Sequence, residues 1–139
     1  MARIMAFDIG GKRTGIAVTD PLQLIATGLT TIDAATMIAF VKNYLQIETV
    51  ERFVVGWPTN WDDSPTHGTA VAQKAIDLLQ KNFPHMPITK VDERYTSKMA
   101  KDAMLEMGLK KKKRRDKKIV DEIAATILLQ DYLRSIQGA

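Results

Sequence analysis

Three acidic residues stand at the ends of segments that a folded chain would bring together. Asp8 closes the apolar run Arg3-Ile4-Met5-Ala6-Phe7-Asp8, Glu93 follows the apolar Val91 in Val91-Asp92-Glu93-Arg94, and Asp121 opens the last apolar segment. Two like charges about 4 Å apart repel by roughly 4 kcal/mol at an effective dielectric near 20. A carboxylate cluster therefore either keeps protons at raised pKa or binds a hard divalent cation through its oxygens. In a basic chain the second arrangement points to metal-dependent chemistry on a phosphodiester.

Positioning these residues is the work of a small number of elements. The apolar stretch 3–9, the turn Gly10-Gly11-Lys12-Arg13 and the stretch Thr14–Thr19 read as a hairpin. Asp20-Pro21 breaks it, and Leu24–Ile32 supplies a third strand. Asp33 is placed to cap a helix running to about Gln46, with Met37, Phe40, Val41 and Leu45 on one stripe. Arg52–Trp57 is a short buried strand stopped by Pro58. Asp63-Ser64-Pro65 begins a helix whose stripe is Val71, Ala75, Leu78 and Leu79. Pro87–Asp92 is the fifth strand, Thr96 or Ser97 caps a helix ending at Gly108, and a last helix runs from about Asp116 to Ser135. The order predicts an α/β fold. One five-stranded mixed sheet, with a three-stranded antiparallel part and parallel strands beside it, is flanked by helices.

The bulk properties set outer bounds. With 139 residues the chain is expected to form a single domain, 1–139, without repeats or linkers. It has no cysteine, which excludes disulfides and thiol chemistry and fits a cytoplasmic protein. No apolar stretch approaches the ~20 residues of a membrane span, and no secretion signal is read at the start. The net charge of +4 is unevenly spread. Eight of the 20 basic residues fall within Lys110–Lys118, and the remainder of the chain is net acidic. Such a run is commonly a solvated surface. Here it leads directly into the segment that carries Asp121, so phosphates held on it would pass the carboxylates.

Each candidate also has a plainer explanation. Asp8 could merely support its hairpin, although turn-forming aspartates usually sit inside the turn. Asp92 and Glu93 point to opposite faces of a strand end, so one of them enters the cleft, and a structural salt bridge with Arg94 is the alternative. Asp121 falls within an apolar arc, where an unpaired carboxylate is costly, but a helix amino end also favours negative charge. Asp20, Asp62 and Asp63 read as turn and cap residues, His67 and His85 as surface groups. Trp57 and Trp61 could stack on bases or pack in the core.

Four motifs carry a family resemblance. They are Phe7-Asp8-Ile9-Gly10 with Gly15-Ile16-Ala17-Val18-Thr19-Asp20; Val54-Val55-Gly56-Trp57-Pro58; Asp92-Glu93-Arg94-Tyr95-Thr96-Ser97; and Lys118-Ile119-Val120-Asp121 running into Ala124-Ala125. In this order, over nearly the whole chain, they resemble the YqgF family, also called RuvX, within the RNase H-like superfamily. The segment Trp57–Ser64 departs from the family pattern. The resemblance implies an RNase H-like nuclease whose acidic triad is Asp8, Glu93 and Asp121, holding two Mg²⁺ or Mn²⁺ ions. Its implied substrate is the 5′ end of precursor 16S ribosomal RNA, with four-way Holliday junctions as the alternative. Expected nucleic-acid contacts are Lys12, Arg13, Arg94, Lys111, Lys112, Lys113, Arg114 and Lys118. The ribosome is a possible partner, no membrane is involved, and the chain is expected to be a monomer or weak homodimer. Two other classes fit less of the chain: a phosphotransferase, from the glycine turn after Asp8, and an RNA-binding module without catalysis.

Overall fold

The computed structural model describes residues 1–58, 67–92, 102, 103, 105, 106, 108 and 116–137. Five strands form one sheet: β1 (Arg3–Ile9), β2 (Arg13–Thr19), β3 (Ala26–Asp33), β4 (Val50–Trp57) and β5 (Ile88–Asp92), in the order β3-β2-β1-β4-β5. β1, β2 and β3 are antiparallel neighbours, whereas β4 and β5 continue the sheet in parallel with β1. Helices α1 (Met37–Ile47), α2 (His67–Asn82) and α3 (Lys117–Ile136) cover the sheet. The expected mixed α/β architecture is the observed one. Among the described residues no helix is long and apolar enough to cross a membrane.

Strand alternation divides the interior into two layers. Met5, Phe7, Ile9, Ile16, Val18, Phe53 and Val55 face α1 and α2, where they meet Met37, Val41, Ala75, Ile76 and Leu79. Ile4, Ala6, Ala17 and Val54 face α3 and meet Ala125, Leu128, Leu129 and Leu133. The central β1 is buried on both faces, which is why its sequence is apolar almost without interruption. Phe53 anchors the first layer, with its ring edge-to-face against both Phe7 (5.3 Å) and Phe83 (5.6 Å).

Two local expectations are corrected. Asp33 makes no side-chain cap: a single 3₁₀ turn, Ala34–Thr36, intervenes before α1, and the Thr36 hydroxyl donates to the Asp33 carbonyl instead. Asp33 is still tied to the sheet, paired with Arg13, so its backbone is committed before the helix starts. The α2 stripe is also rotated. Ala72, Ala75, Ile76 and Leu79, at helical spacing, are its buried line, and Leu78 is 43% exposed. At α3 the expected start near Asp116 holds, and the structure adds a cap, with the Asp116 carboxylate accepting the Lys118 amide at 2.9 Å. Gly108 has a left-handed φ of +71°, as a helix stop requires. The expected starts at Asp63-Ser64-Pro65 and at Thr96 or Ser97 lie outside the described residues.

Candidate active site

Asp8 is the last even-numbered position of β1, and alternation sets it on the α3 face with Ile4 and Ala6. Its cross-strand partner on β2 is Gly15. Residues directly opposite in an antiparallel pair share a face, about 4.5–5.5 Å apart. A side chain at position 15 would therefore project beside Asp8 toward α3. There is no room for one. A Cβ built on Gly15 would overlap the backbone carbonyl of Asp121. The missing side chain lets the first turns of α3 rest on the sheet, and it sets the Asp121 backbone against the strand partner of Asp8.

A second glycine performs the same service on the next strand. A Cβ on Gly28 of β3 would lie 2.6 Å from Glu122 Oε1 and 3.0 Å from Thr126 Oγ1. The helix thus crosses β2 and β3 over two glycines, while Ala6, Ala17, Ala124 and Ala125 keep the rest of the interface thin. Thr31 fastens the helix start by donating its hydroxyl to the Lys118 carbonyl at 2.6 Å. Sequence reading had not assigned these roles to Gly15, Gly28 or Thr31. The available signal was a glycine inside each strand, which marks close approach of another backbone.

The Asp121 carboxylate is half-buried and accepts a hydrogen bond from Arg13 Nε at 3.1 Å. Arg13, Gly15 and Ala17 alternate onto the α3 face of β2, so the same strand supplies both the gap and the countercharge. Arg13, expected to contact nucleic acid, is engaged with Asp121 here. Lys12 and Lys118 are exposed. Asp92 ends β5 beside Trp57, and alternation sets it opposite the α3 face that Val91 shares. Trp57 packs against the α1/α2 layer, with Lys90 Nζ 4.0 Å above its ring, so this ring serves packing and a cation–π contact. Glu93, Arg94, Lys111, Lys112, Lys113, Arg114 and Trp61 lie outside the described residues. Among the described residues no three carboxylate or imidazole groups converge to hold a metal. Asp8 and Asp121 carry carboxylate oxygens, the hard kind that Mg²⁺ and Mn²⁺ prefer, on the α3 face near the carboxyl end of a central strand. That donor set fits such an ion.

A five-stranded mixed sheet in the order β3-β2-β1-β4-β5, covered by helices, is an RNase H-like fold. The whole chain superposes on Thermus thermophilus RuvC, solved in complex with a Holliday junction substrate, with a TM-score of 0.60, 16% identity and 98% of that chain covered. A fowlpox virus resolvase gives 0.57 at 14% identity, over 96% of this chain and 98% of that one. Identities this low speak for the fold alone. Residues 2–135 match the family model described as "RuvX: Holliday junction resolvase", and the chain belongs to that family. A relative from Christiangramia forsetii is 53% identical over 96% of this chain and 98% of its own. One from Porphyromonas gingivalis is 51% identical over 96% of each. Both carry the name "Putative pre-16S rRNA nuclease".

Proposed function

We propose that this protein is a divalent-metal-dependent nuclease that trims the 5′ end of precursor 16S ribosomal RNA during ribosome biogenesis in the cytoplasm. The carrying observation is the placement of Asp121 against Gly15, the strand partner of Asp8. It gathers two carboxylates at one sheet edge in a chain whose relatives at about half identity are named for this activity.

Asp8, Glu93 and Asp121 would hold two Mg²⁺ or Mn²⁺ ions. Bound there, the ions supply the acidity for in-line attack of water and for departure of the 3′ oxygen. The side chains set the geometry. Asp8, on the central strand, would contribute one carboxylate to that site, and Glu93 and Asp121 would contribute the other two. Glu93 is preferred to Asp92 because alternation carries Asp92 to the opposite face of the sheet. Lys12, Arg94 and the run Lys111, Lys112, Lys113, Arg114 and Lys118 would hold flanking phosphates. The family description favours a second reading, resolution of Holliday junctions. The RNA reading is preferred because paired, symmetric cuts call for a dimer, and the sequence carries no clear dimer seam.

The test is to incubate wild type and Asp8→Asn with Mn²⁺ or Mg²⁺ against a labelled precursor 16S 5′ leader, free and within ribosomal particles, and against a four-way DNA junction. Cleavage of the leader by wild type alone is the expected result. Symmetric nicking of the junction would replace the RNA role with the second reading. Metal-dependent cutting retained by Asp8→Asn would overturn the site, and binding without cleavage would leave an RNA-binding module.

A further inference from the structure

Across the sheet from Asp8 lies a cavity of about 250 Å³ that the proposed chemistry does not use. Its walls are apolar, with Ile9, Met37 and Ala75 among them, and it extends from the Gly10–Gly11 turn to Lys74 of α2. Thr14 lines it too. This residue is 1% exposed, and its hydroxyl finds no hydrogen-bond partner among the described residues. A buried hydroxyl left unpaired costs folding free energy, so it is out of keeping with a site that only packs. Gly11 adds a third observation. It is exposed, its φ is not in the left-handed region, and no atom of the described residues lies within 4 Å of where its Cβ would be. Neither a left-handed φ nor packing against the described residues calls for glycine at this position of the cavity lining.

The geometry points to a pocket for one unstacked nucleobase of the substrate strand, across the sheet edge from the carboxylates Asp8 and Asp121. This inference rests on the nucleic-acid reading above. A base presents an apolar face to Ile9, Met37 and Ala75, a polar edge to the Thr14 hydroxyl, and a phosphate within range of the Lys74 ammonium. A purely apolar ligand would leave both Thr14 and Lys74 without a role. The volume lies below the ~300–1,000 Å³ of pockets that enclose drug-sized ligands, which suits a single base. Ile9 follows Asp8 directly and points to the opposite face, so a strand crossing the Gly10–Gly11 turn can engage both sites.

The experiment uses Asp8→Asn protein, so that the strand stays uncut, and a short single-stranded oligonucleotide carrying one 2-aminopurine. Anisotropy reports binding, and 2-aminopurine emission reports transfer of the base from its neighbours into an apolar pocket. Emission should rise on binding and lose that rise when Ala75→Leu fills the cavity. Thr14→Val should weaken binding about fivefold, the scale of one hydrogen bond. It should also melt no lower than its parent, because the hydroxyl it removes has no partner. Binding with the same emission rise in all three proteins, or with none in the parent, overturns the pocket while leaving the nuclease reading intact. An unchanged anisotropy in the parent overturns nucleic-acid binding and the pocket with it.

Discussion

Gly15 of β2 carries no side chain because the Asp121 carbonyl of α3 occupies the space where its Cβ would stand. Backbone meets backbone at this contact, so no rotamer change can relieve an added methyl. The helix itself has to move. Gly15→Ala should therefore lower stability by about 1–3 kcal/mol, the usual range for overpacking. By displacing Asp121 from Asp8 it should cost on the order of 100-fold in cleavage rate. Thermal melting and single-turnover cleavage measure the two effects, and full activity in a destabilised variant would detach this contact from the site.

The ion pair between Arg13 and Asp121 makes the opposite kind of prediction. Both groups are about one-quarter exposed, so solvent screens the pair and its loss should change stability by no more than about 1 kcal/mol. The guanidinium nevertheless competes with any cation for the Asp121 oxygens. Arg13→Gln should tighten Mn²⁺ binding about fivefold, the effect of removing one positive charge worth about 1 kcal/mol at water-like dielectric. Calorimetric titration of Mn²⁺ in the absence of nucleic acid would show it. Unchanged or weaker binding would mean that Arg13 orients Asp121 without competing for it.

Asp20 predicts a pH response away from the site. Its carboxylate accepts the amides of Leu22, Leu24 and Ile25 at 3.2, 2.8 and 2.8 Å, closing a loop in which Gln23 takes a left-handed φ of 59°. These bonds, that from Ile25 above all, hold its carboxyl below the ordinary aspartate value of 3.8. A folded pKa below the unfolded one contributes stability that is fully present above about 3.8 and lost as pH falls through the lowered value. The amide proton resonances of Leu22, Leu24 and Ile25 should shift together in that acid range. In Asp20→Asn the shared titration should vanish. Independent midpoints for the three amides would refute a common acceptor.

The basic run makes a prediction about salt. If Lys111, Lys112 and Arg114 each neutralise a phosphate, log affinity falls against log salt with a slope of about −0.7 to −0.9 per contact. Replacing all three by glutamine should flatten the slope by about 2 to 3. An unaltered slope would return the run to the status of a solvated surface.

Much of this architecture was readable from local pattern. The apolar runs and the turn residues between them mark all five strands to within two residues, because alternation and turn chemistry act over short distances. The start of α3 near Asp116 and the left-handed turn at Gly108 are likewise local choices of backbone conformation. The misses also have local causes. Asp33 has the chemistry of a cap, yet its backbone belongs to β3. Leu78 has the hydropathy of a core residue, yet the sheet lies under the neighbouring line of α2.

Sequence alone determined that Asp8 closes an apolar strand, that the glycine turn after it leads back into a second strand, and that Asp121 follows the start of a long helix. Those properties depend on the period of a strand or a helix, and each is settled within a few residues. Only the tertiary structure decided that α3 crosses β2 over Gly15 and that Arg13 reaches Asp121 from 108 positions away. It alone opened a cavity beneath Thr14 on the far side of the sheet. Such features depend on how closely two surfaces distant in the chain approach one another, and that separation is set by the packing of all their side chains at once.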